Sequence, residues 1–169
     1  MTPRKYTNRS YLDALEKKVL VFDGAMGTSL QVQNLTAEHF GGEQYNGCND
    51  YLVISYPEAV EKVHRSFLDV GVDVLETDTF RSNRLTMVEY GLQDRIIEIN
   101  ETAARLARRL ADEYSMKDTS YTVQDTQHAS HSTESVTRNS YPVSPHPRFV
   151  AGSIGPTGKL PSTNDPDLS

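Results

Sequence analysis

The chain has 169 residues and a formal net charge of −6, which allows a single domain with a sizeable core and argues against a nucleic-acid partner. It contains neither an apolar run of membrane-spanning length nor the apolar core of a signal peptide, so we expect a cytoplasmic protein with no membrane partner. Cys48 is the only cysteine, which excludes an internal disulfide and any multi-thiolate metal site within this chain.

The first predicted strand ends in an acid and two glycines. Residues 1–18 are polar, carry a short helical pattern and form a lead-in, whereas residues 19–22 are four apolar residues in a row. Such a run suits a parallel strand buried on both faces. Asp23 follows it, and Gly24 and Gly27 would let the backbone turn tightly and expose N–H groups to an acidic or zwitterionic ligand. A plain strand-to-loop turn is an equally open alternative.

The next predicted elements are a long loop over residues 31–49 and a helix over residues 56–70. Ser55 and Glu58 have the spacing of a capping box at the start of this helix. His64 is assigned to its outward side. The loop is long enough to contribute to a functional site.

A second strand over residues 72–75 also ends in an acid, Glu76. A strand ending in Asp23, a helix and a strand ending in Glu76 form a βαβ unit, which places both acids at the same end of a parallel sheet. Two acids at equivalent strand ends predict a shared pocket.

The remaining pattern extends this series. Residues 81–90 and 94–114 predict two helices, and the Ser/Thr-rich residues 115–147 predict a disordered insertion. A third strand is predicted over residues 149–154, followed by a Gly-Pro-Thr-Gly turn. Three βα starts predict an α/β fold, namely the first three units of an incomplete (β/α)₈ TIM barrel over residues 19–169. A small open α/β sheet, complete in itself, is the alternative.

Several stretches, in this order, resemble the opening of a known barrel: LVFDGAMGT, then NGCND with YLVISYPEAVEKVHRSFLDVGVDVLETDTFRS, then RFVAGSIGPTGK. The barrel is the homocysteine-binding domain of the homocysteine S-methyltransferase family, and within it of the cobalamin-dependent enzymes that form methionine. The resemblance covers residues 19–114 and 148–159, and the insertion has no counterpart in it.

The resemblance implies transfer of a methyl group to the thiol of homocysteine, giving methionine, with 5-methyltetrahydrofolate as the donor. In the family, zinc held by three cysteine thiolates from late barrel strands binds the homocysteine sulfur, and metal coordination deprotonates a thiol. Cys48 lies in the first βα loop, where the family has no zinc ligand. We therefore expect this chain alone to bind neither zinc nor cobalamin and to carry no catalytic residue. Homocysteine, the rest of the barrel and the folate and cobalamin domains are the implied partners.

The resemblance also implies residues for the amino-acid end of the pocket. The matching positions are Asp23, Gly24, Ala25, Met26, Gly27 and Thr28 in the first-strand loop, and Glu76, Thr77 and Asp78 after the second strand. In the first loop, backbone N–H groups suit the α-carboxylate of the substrate and the Asp23 carboxylate suits its α-ammonium. The family more often has Asn at the position of Asp78, so an amide-donor role is not carried over. For Glu76, an orienting position buried beneath the pocket is an equal alternative.

Three functional hypotheses remain open. The chain is the N-terminal part of a methionine-forming methyltransferase and is inactive alone for lack of zinc ligands. Alternatively, it is a non-catalytic truncated remnant or a weak amino-acid-binding polypeptide. A third hypothesis keeps the enzyme class with a sulfonium or betaine donor. We also expect the chain to fold poorly alone, because an unclosed barrel exposes a sheet edge and an apolar inner face.

Overall fold

The computed structural model describes residues 9–116, 119–121, 141–143 and 146–157. Its helices are α1 (Ser10–Leu15), α2 (Met26–Gln31), α3 (Leu52–Ser55), α4 (Pro57–Asp69), α5 (Arg84–Met87) and α6 (Ile96–Met116). Its strands are β1 (Val74–Glu76), β2 (Thr119–Tyr121), β3 (Tyr141–Val143) and β4 (Phe149–Ala151). Single 3₁₀ turns lie at Glu43–Tyr45, Asn49–Tyr51 and Val88–Tyr90.

Three chain segments lie side by side in the same direction. β1 pairs with β4 in parallel, with Val74 opposite Phe149. On the other side of β1, Phe22 forms a parallel bridge with Val74, and the N–H of Asp23 donates to the carbonyl of Val74 at 2.9 Å. The predicted parallel arrangement is therefore confirmed for these segments, and the acids Asp23 and Glu76 come at the same end.

The first predicted strand is wrong in its extent and burial. Residues 19–22 form only the single bridge at Phe22. Leu20 is buried, whereas Val19 and Val21 are 84% and 53% exposed. A strand buried on both faces needs a packed layer on each side, and of these four residues only Leu20 is buried within the described part of the chain.

The two long predicted helices are confirmed as α4 and α6, but the predicted capping box is wrong. Tyr56 precedes α4 and makes no side-chain capping bond. Ser55 ends α3, and its hydroxyl donates back to the carbonyl of Tyr51 at 3.3 Å. Pro57 opens α4, where its missing N–H costs no helical hydrogen bond.

Helices α4 and α6 pack against each other and cover one face of the parallel segments. Arg65 of α4 donates two hydrogen bonds to Glu113 of α6 at 3.1 and 2.9 Å, and the hydroxyl of Tyr114 donates to Asp69 at 2.6 Å. The most deeply buried core side chains come from several elements: Leu30, Leu52, Val60, Leu68, Leu75, Met87, Leu92, Ile99 and Leu110. This core fixes the strand ends relative to the loops that follow them.

The predicted insertion over residues 115–147 lies partly outside the described residues, and the disorder expected there stays a prediction. Within it, β2 and β3 pair in antiparallel fashion, with Tyr121 opposite Tyr141. The sequence does not predict this strand pair, because the segment has almost no apolar periodicity. The third predicted strand is confirmed as β4, although it is shorter than residues 149–154.

The start of β4 is held by a buried arginine. The guanidinium of Arg148 is 1% exposed and donates to the carbonyls of Gly71 at 2.9 Å and Val72 at 2.5 Å. Nearby, Asp73 accepts from the ammonium of Lys18 at 2.5 Å and lies 3.1 Å from Nε2 of His146. These contacts tie the lead-in and the segment before β4 to the amino end of β1. Across the described part of the chain, no helix has the length and apolar character needed to cross a bilayer.

Candidate functional site

A cavity of about 410 Å³ lies at the carboxyl ends of the parallel segments. Its wall comes from the loop after Asp23, the turn around Cys48 and the residues that follow β1. This end of the strands is where parallel α/β folds bind their ligands. The shared pocket predicted from the two strand-end acids is therefore present as a cavity.

All the predicted site residues except one line this cavity. Those in the wall are Asp23, Gly24, Ala25, Met26, Gly27, Glu76, Thr77 and Asp78. Thr28 is exposed on α2 and is not part of the wall. The residues predicted in the first-strand loop and those predicted after the second strand thus lie around one cavity. Their contacts with a ligand stay a prediction.

The turn after Asp23 differs from its predicted form. The left-handed residue is Ala25, with φ 49° and ψ 30°, whereas neither Gly24 nor Gly27 adopts a left-handed φ. An L-residue in this region costs about 1 kcal/mol or more relative to the right-handed conformation. The helix α2 begins directly afterwards at Met26, so half of the predicted loop is helical.

The Asp23 side chain joins the ends of two parallel segments. It is 2% exposed, its Oδ1 accepts the N–H of Glu76 at 2.7 Å, and its Oδ2 lies 3.3 Å from Nδ1 of His64. The Asp23 carboxylate, which is predicted to bind the ligand, therefore also contacts Glu76 and His64 of the protein itself. Glu76 itself is exposed at the cavity, so it is not the residue buried beneath the pocket that the alternative expected.

His64 is the site residue that the sequence reasoning placed wrongly. It is completely buried on α4 rather than outward, and its Nε2 has no hydrogen-bond partner among the described residues. The sequence did contain an indication that His64 is buried. The apolar residues Val60 and Leu68 lie four residues to either side of it, and residues four apart share a helix face. Both are buried in the structure.

Two of the carboxyl groups that line the cavity are buried. Asp50 is 4% exposed and accepts the N–H of Arg81 at 2.8 Å, and burial raises the pKa of its carboxyl above the usual range. Asp78 is 5% exposed, and its Oδ2 has no hydrogen-bond partner within the described structure. Burial, with a smaller effect of Asp50, raises the pKa of Asp78 to about 8. The sequence reasoning did not single out Asp50, which follows Cys48 in the stretch NGCND.

The hydroxyl of Thr77 is used to connect β1 to β4. It accepts the N–H of Ser153 at 3.1 Å and lies 2.7 Å from the hydroxyl of Thr79. Thr79 in turn donates to the carbonyl of Ser153 at 2.8 Å. These bonds fix the relative position of the two strand ends.

A zinc ion does not fit the donors described here. Cys48 is buried, and burial raises the pKa of its thiol to about 11, which disfavours the thiolate that zinc requires. Its Sγ contacts Sδ of Met87 at 3.8 Å. Among the described residues, no group of three His, Cys, Asp or Glu side chains could hold a metal.

The parallel segments, the covering helices and the acidic cavity at the strand ends define an α/β domain with a cavity where such folds commonly bind ligands. Residues 20–169 match the family model described as homocysteine S-methyltransferase. The chain therefore belongs to the homocysteine S-methyltransferase family.

Two curated relatives are methionine synthases, from Mycobacterium tuberculosis (strain ATCC 25618 / H37Rv) and Mycobacterium leprae (strain TN). Each is 34% identical to this chain over 151 residues, which is 89% of this chain and 10% of the relative. The chain thus spans about a tenth of the length of the curated relatives that it matches.

A solved structure with the same fold is the homocysteine methyltransferase MmuM from Escherichia coli in its metallated form. The TM-score is 0.57 with 19% sequence identity, and the match covers 86% of this chain and 41% of that chain. At this identity the likeness shows the fold alone.

Proposed function

We propose that this chain supplies the amino-acid-binding part of a methyltransferase that transfers a methyl group to the thiol of homocysteine, forming methionine. The cavity at the strand ends carries the proposal, because eight of the nine residues predicted for substrate binding line it. Membership of the homocysteine S-methyltransferase family supports the reaction class.

The charge of the cavity wall favours a ligand with a cationic group. The wall contains four carboxyl groups, those of Asp23, Asp50, Glu76 and Asp78. The guanidinium of Arg81, which also lines the cavity, is engaged by Glu89 at 2.6 Å. The α-ammonium of an amino acid would be attracted to this wall, while its α-carboxylate would lie toward the backbone N–H groups after Asp23. The cavity volume also lies in the range of small-molecule sites.

We propose further that the three parallel segments belong to a (β/α)₈ barrel. Their order along the chain and in space agrees with successive barrel strands, and the fold likeness to MmuM supports the architecture. In this proposal zinc, cobalamin and the folate donor bind elsewhere in the whole protein. The two curated relatives at 34% identity, both methionine synthases, support a methionine synthase over an enzyme with a sulfonium or betaine donor.

Titration calorimetry tests the proposed ligand. L-Homocysteine should bind the chain saturably with one site. 4-Mercaptobutanoate, which lacks the ammonium, should bind at least about 10-fold more weakly, because an ion pair of about 1.4 kcal/mol or more is lost. 3-Mercaptopropylamine, which lacks the carboxylate, should lose less affinity relative to homocysteine than 4-mercaptobutanoate does. Absence of homocysteine binding to a chain with the helical circular dichroism of the folded protein would refute the proposal.

A second candidate is an amino-acid-binding polypeptide without catalysis. The single cysteine favours it, because a zinc site of three thiolates cannot come from this chain. Under both candidates the 169-residue chain should purify without equimolar zinc and should form no methionine. Equimolar zinc accompanied by turnover would contradict both expectations.

A further inference from the structure

We propose that Asp78 keeps a proton while the cavity is empty and releases it to solvent when the ammonium group of an amino acid enters. This deepens the proposed function and rests on it for the identity of the ligand. The protonated state of the empty cavity does not rest on it and is tested separately.

The surroundings of Asp78 do not support a carboxylate ion. The residue is 5% exposed, and its Oδ2 is shielded from solvent without a hydrogen-bond partner in the described structure. No Lys, Arg or His of the described ranges forms an ion pair with it. An ionised carboxylate in such a place costs several kcal/mol, and the group takes up a proton instead.

The other charged and titratable groups of the cavity give Asp78 no ion-pair partner, and the nearest charge among them opposes its ionisation. Those lining the cavity are Asp23, Cys48, Asp50, Glu76, Arg81 and Tyr90. Asp50 is the charge that acts most directly on Asp78 and raises its pKa further. Cys48 stays a neutral thiol, and the cation of Arg81 is engaged by Glu89. Among the described residues that line the cavity, Asp78 therefore has no unengaged cation beside it.

An entering ammonium group supplies that missing cation. An opposite charge within a few ångströms favours the ionised form of a carboxyl group. The O–H bond of Asp78 then breaks, its electron pair stays on the carboxylate, and the proton passes to water. Up to one proton is released for each ligand bound, and binding strengthens as the pH rises toward the pKa of about 8. At full coupling the gain is about 10-fold in affinity per pH unit.

The protonated state is tested without ligand. Infrared spectra of chain labelled with [¹³C]aspartate should show a protonated carboxyl band at neutral pH that disappears with a midpoint near 8. Asp78→Asn, which keeps the side-chain shape, should remove this band. Asp50→Asn should lower the midpoint, because it removes the neighbouring negative charge. A wild-type chain without the band at neutral pH, or an unchanged band in Asp78→Asn, would overturn the proposal.

The coupling is tested by titrating L-homocysteine near pH 7 in buffers with different ionisation enthalpies. The wild type and the surface control Asp94→Asn should release close to one proton per ligand, and Asp78→Asn should release none. Asp94 is suitable because its side chain is 77% exposed and lies outside the cavity. Binding with equal proton release in wild type and Asp78→Asn would overturn the coupling and leave the proposed function standing. Absence of homocysteine binding would overturn both.

Discussion

Replacing Asp23 with alanine should destabilise the chain by about 2 to 3 kcal/mol. The carboxylate accepts the N–H of Glu76 at 2.7 Å, and a hydrogen bond to a charged group contributes about 1.5 to 3 kcal/mol. Its second oxygen faces buried His64 at 3.3 Å, so truncation also leaves that ring nitrogen without its acceptor. Because the side chain of Asp23 is 2% exposed, water can replace the lost contacts only by entering the structure.

Urea unfolding followed by far-ultraviolet circular dichroism measures this loss. The exposed Asp94→Ala is the matched control, since its ion pair with Arg84 lies at the surface and should contribute less than about 1 kcal/mol. A cycle with His64→Gln should give a coupling of about 1 kcal/mol with Asp23→Ala, because the two side chains are in contact. The reasoning is refuted if Asp23→Ala unfolds at the midpoint of Asp94→Ala, or if the double variant is strictly additive.

Three further experiments test contacts at the two ends of the parallel segments. Arg148→Met should cost about 2 to 4 kcal/mol in urea unfolding, because two carbonyls lose a charged donor; a loss below about 0.5 kcal/mol would contradict this. In Gly155→Ala the new Cβ would lie 2.4 Å from the carbonyl oxygen of Phe80, whereas in Gly152→Ala it meets nothing within 4 Å. Only the first should lower the melting temperature. Cys48 should react about 100-fold more slowly with a thiol reagent in the folded chain than in urea, because burial raises the pKa of its thiol to about 11; equal rates would show that the thiol is accessible.

The sequence was most informative where a local pattern repeats. The acids Asp23 and Glu76 each follow an apolar run, and this repetition was enough to place them at one end of parallel segments. Helices α4 and α6 were equally predictable, because their apolar residues recur at helical spacing and that spacing depends only on the chain itself.

The features that required the structure depend on tertiary contacts. The helical spacing of His64 with Val60 and Leu68 could have indicated that it is buried, but its contact with Asp23 is a tertiary contact that the sequence does not show. The left-handed turn falls on Ala25, directly before α2, rather than on Gly24 or Gly27. Asp78 is an ordinary acid in sequence, and its unpartnered, buried oxygen becomes visible only when the strand ends are assembled.

For residues 19–22 the sequence predicted burial that the structure does not have, whereas for His64 it failed to predict burial that the structure has. Four consecutive apolar residues indicated burial on both faces, yet Val19 and Val21 are exposed within the described residues. An apolar composition shows that a segment can be buried, but actual burial requires a neighbouring layer of helices or strands to cover it. The same limit applies to the predicted barrel, which concerns strands beyond the three parallel segments described here.

The most direct test of the central claim is the location of homocysteine on the folded chain. Amide chemical shifts of ¹⁵N-labelled protein, followed during titration with L-homocysteine, should change at Gly24, Gly27 and Asp78 in the cavity wall. The amides of Arg65 and Glu113, on the outer surface of α4 and α6, should stay unchanged. Saturable changes confined to that outer surface, or no changes in a well-dispersed spectrum, would contradict the assignment of the cavity as the amino-acid site.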